Sequence, residues 1–292
     1  MPVSNTLRTA ALVLALTAAV FSPFVLRAGW IWDDDDYVTE NPALTAPGGL
    51  LAIWTDPSAT PQYYPLTHTT FWVEARLFGM RPAAFRAVNV ALHGLSCVLL
   101  GLVLRRLRVP GAWLAAAIFA VHPVQVESVA WVTERKNVLC GVFYLGSLLC
   151  WVRAFGLDRD PDRSASDRRF PVGTAAAGLA LFALALLSKT VAATLPVTIA
   201  ILLWWKRCPV DRRHALYLGA MLLCGALLGS LTAHLERHQI GADGAEWAWT
   251  VVDRLRIAGR AWWFYLAKVA WPSNLTFIYP RWAPGTWPAA AW

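Results

Sequence analysis

From Thr9 to Leu26 the chain carries no charged side chain, and the same holds from Ala87 to Leu104. Helical stretches of this kind are long enough to cross a bilayer, which takes roughly 17–25 predominantly apolar residues. A chain built from several of them is a multi-spanning membrane protein. Composition agrees: 15% of residues are charged, whereas soluble domains run nearer about 25%. The 17 Trp fit aromatic belts at the two membrane surfaces.

The formal charge of +8 is therefore an orientation signal first. No basic stripe interleaves with stacking aromatics outside the apolar segments, so no nucleic-acid partner is expected. The five cysteines, Cys97, Cys140, Cys150, Cys208 and Cys224, are odd in number and lack CxxC spacing. Most sit in apolar segments and read as small buried side chains rather than disulfides or metal ligands. The first apolar run follows Arg8, as a signal peptide would, but no small-x-small cleavage site follows and Arg27 breaks the pattern. A retained first helix is the reading.

Hydropathy places helices at about 9–28, 84–104, 111–130 and 137–155, a hairpin over 172–205, and a further helix at 214–234. The clusters Arg105, Arg106 and Arg108, then Arg153 to Arg169, then Lys206 to Arg213 fall on one face if the N-terminus lies there too. The positive-inside rule makes that face cytoplasmic. The 29–82 loop, the TERK turn (Thr133–Lys136), the Ser188-Lys189 tip and the 235–292 segment then share the opposite face. Residues 249–271 mix Arg254, Arg256, Arg260 and Lys268 with Trp262, Trp263 and Trp271. This pattern leans towards an amphipathic helix in the interface rather than a span. Within the 29–82 loop, Pro65 suits the first turn of a helix that rests on the membrane surface.

The densest negative charge, Asp33 to Asp36, stands in GWIWDDDDYVTENP, just where the first apolar run ends. A solvated acidic loop is the bland reading. The sharper one gives one or two carboxylates a cavity at the membrane surface, where partial desolvation and like-charge neighbours suit general-base work. Glu134, Arg135 and Lys136 share that face; a helix-connecting turn at the headgroup level is the plain reading, while cations held there against the positive-inside bias invite a lipid phosphate as partner. Lys189 is a third cation there, with snorkelling as its plain alternative. His122 and Glu127 frame HPVQVES, where Pro123 distorts the helix. Their roles divide between structural contact and function, as do those of His68, Glu74, Asn89 and His93.

The ordered set WDDxxYVxxNP, YPLT, LFG, HPVxVESVAW, ERK, LSK and WPxNLxxxYP resembles the membrane part of the transmembrane and tetratricopeptide-repeat proteins, in their bacterial form. That family belongs with the GT-C glycosyltransferases, whose animal relatives are O-mannosyltransferases. The likeness runs from about Trp32 to Arg281. It implies an all-α, polytopic GT-C bundle of about seven to eight membrane helices with a large first extra-cytoplasmic loop. It also implies a bacterial inner membrane, and transfer of a sugar, mannose among the candidates, from a polyprenyl-phosphate donor to a protein or glycan hydroxyl outside the cytoplasm. Inversion at the anomeric carbon is expected.

By register, Asp33 and Asp34 match the catalytic acidic pair, with Asp35 and Asp36 left to loop solvation. Arg135, Lys136 and Lys189 are expected to hold the donor phosphate, supported by His122, Glu127, Glu134 and Tyr37. No cofactor is firmly implied; a divalent metal is compatible with the carboxylates. Asn137 departs from the Asp expected after ERK. The further helices and tetratricopeptide repeats of the family are not found before Trp292. The alternative function is a non-catalytic membrane anchor or scaffold, or an inactive truncated remnant. A site of this kind requires Asp33 or Asp34 within ~10 Å of Arg135 or Lys189.

Overall fold

A computed structural model describes residues 3–158, 170–239, 249–280 and 282. Among the described residues all regular structure is helical. In chain order the elements are α1 (Val3–Arg27), a π-turn (Asp35–Thr39), α2 (Pro42–Thr45), α3 (Gly49–Thr55), α4 (Pro65–Phe78) and α5 (Pro82–Arg106). Then come α6 (Ala112–Val121), α7 (Gln125–Ala130), α8 (Arg135–Ala154) and α9 (Val172–Ser188). A 3₁₀ turn (Thr190–Thr194), α10 (Leu195–Trp205), α11 (Arg212–Gln239) and α12 (Val251–Ala270) complete the fold.

Four helices are long and apolar enough to cross a membrane: α1, α5, α8 and α11. Three shorter apolar elements, α6, α9 and the stretch Thr190–Trp205, stand among them. The protein is thus an all-α, integral membrane bundle, as the apolar runs require.

The helix expected over 111–130 is two helices. Pro123 has no N–H to donate and drives the residue before it out of the helical region. His122 accordingly sits at φ −65°, ψ 127°. The 172–205 hairpin is likewise broken at its tip, where Lys189 is extended at φ −162°, ψ 132°. α12 is capped by a reciprocal Thr250–Asp253 box. It buries none of its residues and carries Asp253, Arg254, Arg256, Arg260 and Lys268, too much charge to count among the crossing helices.

The main apolar core lies where α8, α9, α10 and α11 meet, around Trp151, Phe182, Leu186, Ile199 and Leu203. The close approach of α8 to α9 depends on Gly178. A Cβ there would lie 3.0 Å from the Trp151 indole nitrogen, and the Gly178 carbonyl accepts from the Ser147 hydroxyl at 2.7 Å. Small residues at such crossings are what let membrane helices pack.

The two ends of the bundle differ. At one end, Arg105 donates to Thr6 Oγ1 at 2.5 Å, Arg106 pairs with Asp158 at 2.8 Å and Lys206 donates to the Leu107 carbonyl at 2.5 Å. The start of α1 and the ends of α5, α8 and α10 therefore meet, as charge alternation predicts. The loop between α1 and α5 covers the opposite end. It is not merely laid on the membrane surface: α4 turns Thr67, His68, Phe71 and Glu74 inward, and Thr67 Oγ1 donates to the Ser188 carbonyl at 3.1 Å.

Candidate active site

α8 begins immediately after Glu134, so Arg135 and Lys136 occupy its first turn. Arg135 is fully buried. Its guanidinium forks onto both oxygens of Glu74, and its Nε donates to Asn89 Oδ1. The remaining N–H groups reach Thr70 Oγ1 at 3.2 Å and the Phe85 carbonyl at 2.8 Å. All five donors of a guanidinium are then used. Arg135 is expected from sequence to hold a phosphate, yet here it ties α4 and α5 to α8. Burial is the main influence on Glu74 and raises its carboxyl above the usual range, against the lowering effect of Arg135.

A second buried arginine organises the loop entrance. Arg86 donates to the carbonyls of Ala130 at 2.9 Å, Ala28 at 2.6 Å and Gly29. It thereby satisfies carbonyls at the ends of α1 and α7 that the helices leave open, with the cation at the favourable helix terminus. In the sequence Arg86 is marked only as a charge bordering an apolar run, a functional flag, and Thr133 only as the first residue of the TERK turn, with no flag of its own.

The four aspartates separate. Asp34 is fully buried. Its Oδ2 accepts from the Ile31 N–H at 2.9 Å, and its Oδ1 accepts from the Thr133 N–H at 3.0 Å and the Thr133 hydroxyl at 2.8 Å. It pins the loop to the TERK turn. Asp33 is half-buried, and its Oδ1 is buried without a hydrogen-bond partner. Burial raises its carboxyl above the ordinary range; Asp34 and Glu134 add to this, while Lys136 opposes it. Asp35 and Asp36 are exposed.

Lys136 and Lys189 share one carboxylate. Lys136 Nζ lies 2.9 Å from Glu134 Oε1, and Lys189 Nζ lies 3.9 Å from Glu134 Oε2. Asn137 bridges them: its Oδ1 accepts from Lys189 Nζ at 2.5 Å, and its Nδ2 donates to Glu134 and, at 3.0 Å, to Ser128 Oγ. A residue without charge thus orients two charged ones. An ammonium has three donors, so each lysine keeps capacity for an oxyanion, and Lys189 is the more open at 27% exposure against 9%.

Tyr37 forms the wall beneath Lys136, whose Nζ sits 5.0 Å from the ring centre. The Tyr37 hydroxyl donates to Gln62 Oε1 at 2.8 Å, and its ring stacks on His68 at 5.5 Å. His68 is fully buried, and burial with the nearby Lys136 charge lowers its pKa to about 3. It is neutral.

Of the expected supports, Glu134 and Tyr37 therefore belong to this cluster. Glu127 is exposed on α7 but close enough to interact with Glu134 and both lysines. His122 is placed differently: its Nε2 donates to the Val269 carbonyl at 3.0 Å and its Nδ1 accepts from the Val124 N–H at 3.3 Å. It fastens the α6–α7 break to the end of α12. Among the described residues no group of three or more His, Cys, Asp or Glu is arranged to hold a metal ion.

Fold and site together define a polytopic helical membrane protein with a cluster of carboxylates and lysines gathered under one loop-covered end. Its relatives carry a more particular name. The chain is 32% identical over 171 residues to protein O-mannosyl-transferase TMTC4 of Homo sapiens, covering 50% of this chain and 23% of that protein. It is 29% identical over 143 residues to protein O-mannosyl-transferase TMTC3 of Mus musculus, covering 46% and 16%. A protein O-mannosyl-transferase of Caenorhabditis elegans is 26% identical over 157 residues, covering 48% and 23%. The matches thus span less than a quarter of the length of these relatives. No protein-family model matches the chain, and no solved structure matches it.

Proposed function

We propose that the protein is a membrane glycosyltransferase that moves a sugar, mannose by likeness to its relatives, from a polyprenyl-phosphate donor to a hydroxyl of a protein acceptor on the extra-cytoplasmic face. The observation that carries the reading is Asp33, half-buried with an unpartnered inner oxygen and a raised carboxyl pKa, close enough to feel the charges of Lys136 and of Glu134, to which Lys189 is also paired.

Asp33 is the base. The acceptor oxygen attacks the anomeric carbon, its proton passes to the Asp33 carboxylate, and the bond from that carbon to the phosphate oxygen breaks. The electron pair leaves with the polyprenyl phosphate, and the configuration inverts. Lys136 and Lys189 stabilise the charge that grows on the phosphate, the contribution that fixed cations make best in a site shielded from water. Asp34 holds the loop so that Asp33 meets the acceptor. Glu134 and Asn137 aim the lysines.

The test is transfer from labelled polyprenyl-phosphate mannose to a peptide in membranes containing the protein. Asp33→Asn should lower the rate by about 10²- to 10⁴-fold, the usual range for a lost general base, with protein levels unchanged. In the wild type the rate should rise with pH along a limb displaced above that of an ordinary aspartate, because the base must be ionised to act. An Asp33→Asn protein with the wild-type rate and pH limb would favour the anchor reading instead.

A further inference from the structure

Three aromatic rings from distant parts of the chain meet beside Asp33. Trp32 lies 5.1 Å from Phe277, Phe277 4.6 Å from Trp131, and Trp32 6.3 Å from Trp131, ring centre to ring centre. Trp32 comes from the acidic loop, Trp131 from the end of α7, and Phe277 from the segment after α12. Trp32 is held at φ +48°, in the left-handed region that side chains other than glycine seldom enter. The backbone around it is over-determined: Asp34 N donates to Ile31 O at 3.1 Å, Asp35 N to Trp32 O at 3.4 Å, and the Asp34 carboxylate clamps Ile31 N. The outcome of this strained turn is an indole that is 58% exposed instead of one folded into the bundle. Such strain gathers where a ligand is gripped.

Two buried polar atoms, one on this wall and one on the residue that follows Trp32, have no partner: the Trp131 indole nitrogen and Asp33 Oδ1. One donates and the other accepts. Buried polar groups are normally satisfied, so an orphan donor and an orphan acceptor beside an open aromatic wall call for a ligand that completes them. A hexopyranose has the complementary surface. One face of the ring is C–H and lies on aromatic faces, whose negative potential attracts it, while the rim of hydroxyls both donates and accepts.

We propose that Trp32, Trp131 and Phe277 form the subsite for the hexopyranose of the donor, with Trp131 Nε1 and Asp33 Oδ1 taking two of its hydroxyls and the second oxygen of Asp33 left to take the acceptor's proton. The inference rests on the donor reading above and adds which residues distinguish a sugar-bearing lipid from a bare one. It also gives the segment after α12 a task, since Phe277 completes the wall.

The experiment measures binding of polyprenyl-phosphate mannose and of bare polyprenyl phosphate to the detergent-solubilised protein, for the wild type and for Trp32→Ala, Phe277→Ala and Trp32→Phe. The wild type should prefer the sugar-bearing lipid. Trp32→Ala and Phe277→Ala should each weaken that lipid about three- to tenfold, the scale of one aromatic contact, and leave the bare phosphate unchanged. Trp32→Phe, which keeps a ring face and the fold, should retain most of the preference. A wild-type preference that survives both alanine variants would overturn the aromatic subsite alone. A wild type that binds the two lipids equally would overturn the subsite and the donor reading together. Equal weakening of both lipids by the alanine variants would make the rings structural and likewise overturn the proposal.

Discussion

The two ends of α8 are held in opposite ways. Its last turns, with Leu148, Trp151 and Val152, sit in an apolar core where contact is diffuse. Its first turn carries Arg135, buried and saturated by four other residues. Packing of the first kind tolerates similar shapes and fails gradually with volume. A buried ion pair of the second kind is all-or-none, because removing one member strands the other in a dry place. One helix thus joins a forgiving half to an exacting one, and the candidate chemistry stands on the exacting half.

The sharpest way to break this contrast is at Arg135. Arg135→Leu leaves Glu74 buried and unpaired, so thermal unfolding in detergent should show a loss of about 3–5 kcal/mol. Adding Glu74→Leu should restore much of it, since an apolar pair of similar volume is often neutral. A single variant as stable as wild type would show that the pair is not what anchors α8.

A pH series sharpens the same end. His68 stays neutral down to about pH 3, whereas its unfolded value is 6.5. Between those limits the unfolded chain binds the extra proton, so stability should fall as pH falls, by up to about 1.4 kcal/mol per unit. His68→Phe should flatten the slope in that window. At the other end of α8, Gly178→Ala presses a methyl onto the Trp151 indole and should cost about 1–3 kcal/mol, with no change in that slope. Asp36 is exposed, so Asp36→Asn should stay within about 0.5 kcal/mol of wild type.

The apolar half was legible in the sequence because each membrane helix announces itself locally. Hydropathy places α5 at 84–104 against Pro82–Arg106 and α8 at 137–155 against Arg135–Ala154. The α8 start shifts because the TERK turn is too short to hold its cations outside the helix. The break at His122-Pro123 was visible as a distortion, though not as two helices. At the site, alternation brings Lys136, Lys189 and Glu134 to one face without knowledge of contacts. Arg135 was opaque for the opposite reason: its occupation is decided by Glu74 and Asn89, 61 and 46 residues away. The division of Asp33 from Asp34 also depends on a distant residue, Thr133, 99 positions on. Charge type can be read locally, but whether a charge is already spoken for cannot.

The Arg86 clamp has a temporal consequence. Synthesis delivers Ala28 and the acidic loop first, Arg86 later, and Ala130 and Thr133 later still. Until α5 enters the membrane, Arg86 cannot gather the carbonyls at the end of α1; until α7 has followed, Asp34 has no Thr133 to grip. The aspartates are therefore among the first parts of the site to be made and among the last to be fixed. A nascent chain with only its first helix and loop across the bilayer carries both aspartates of the site and none of its geometry.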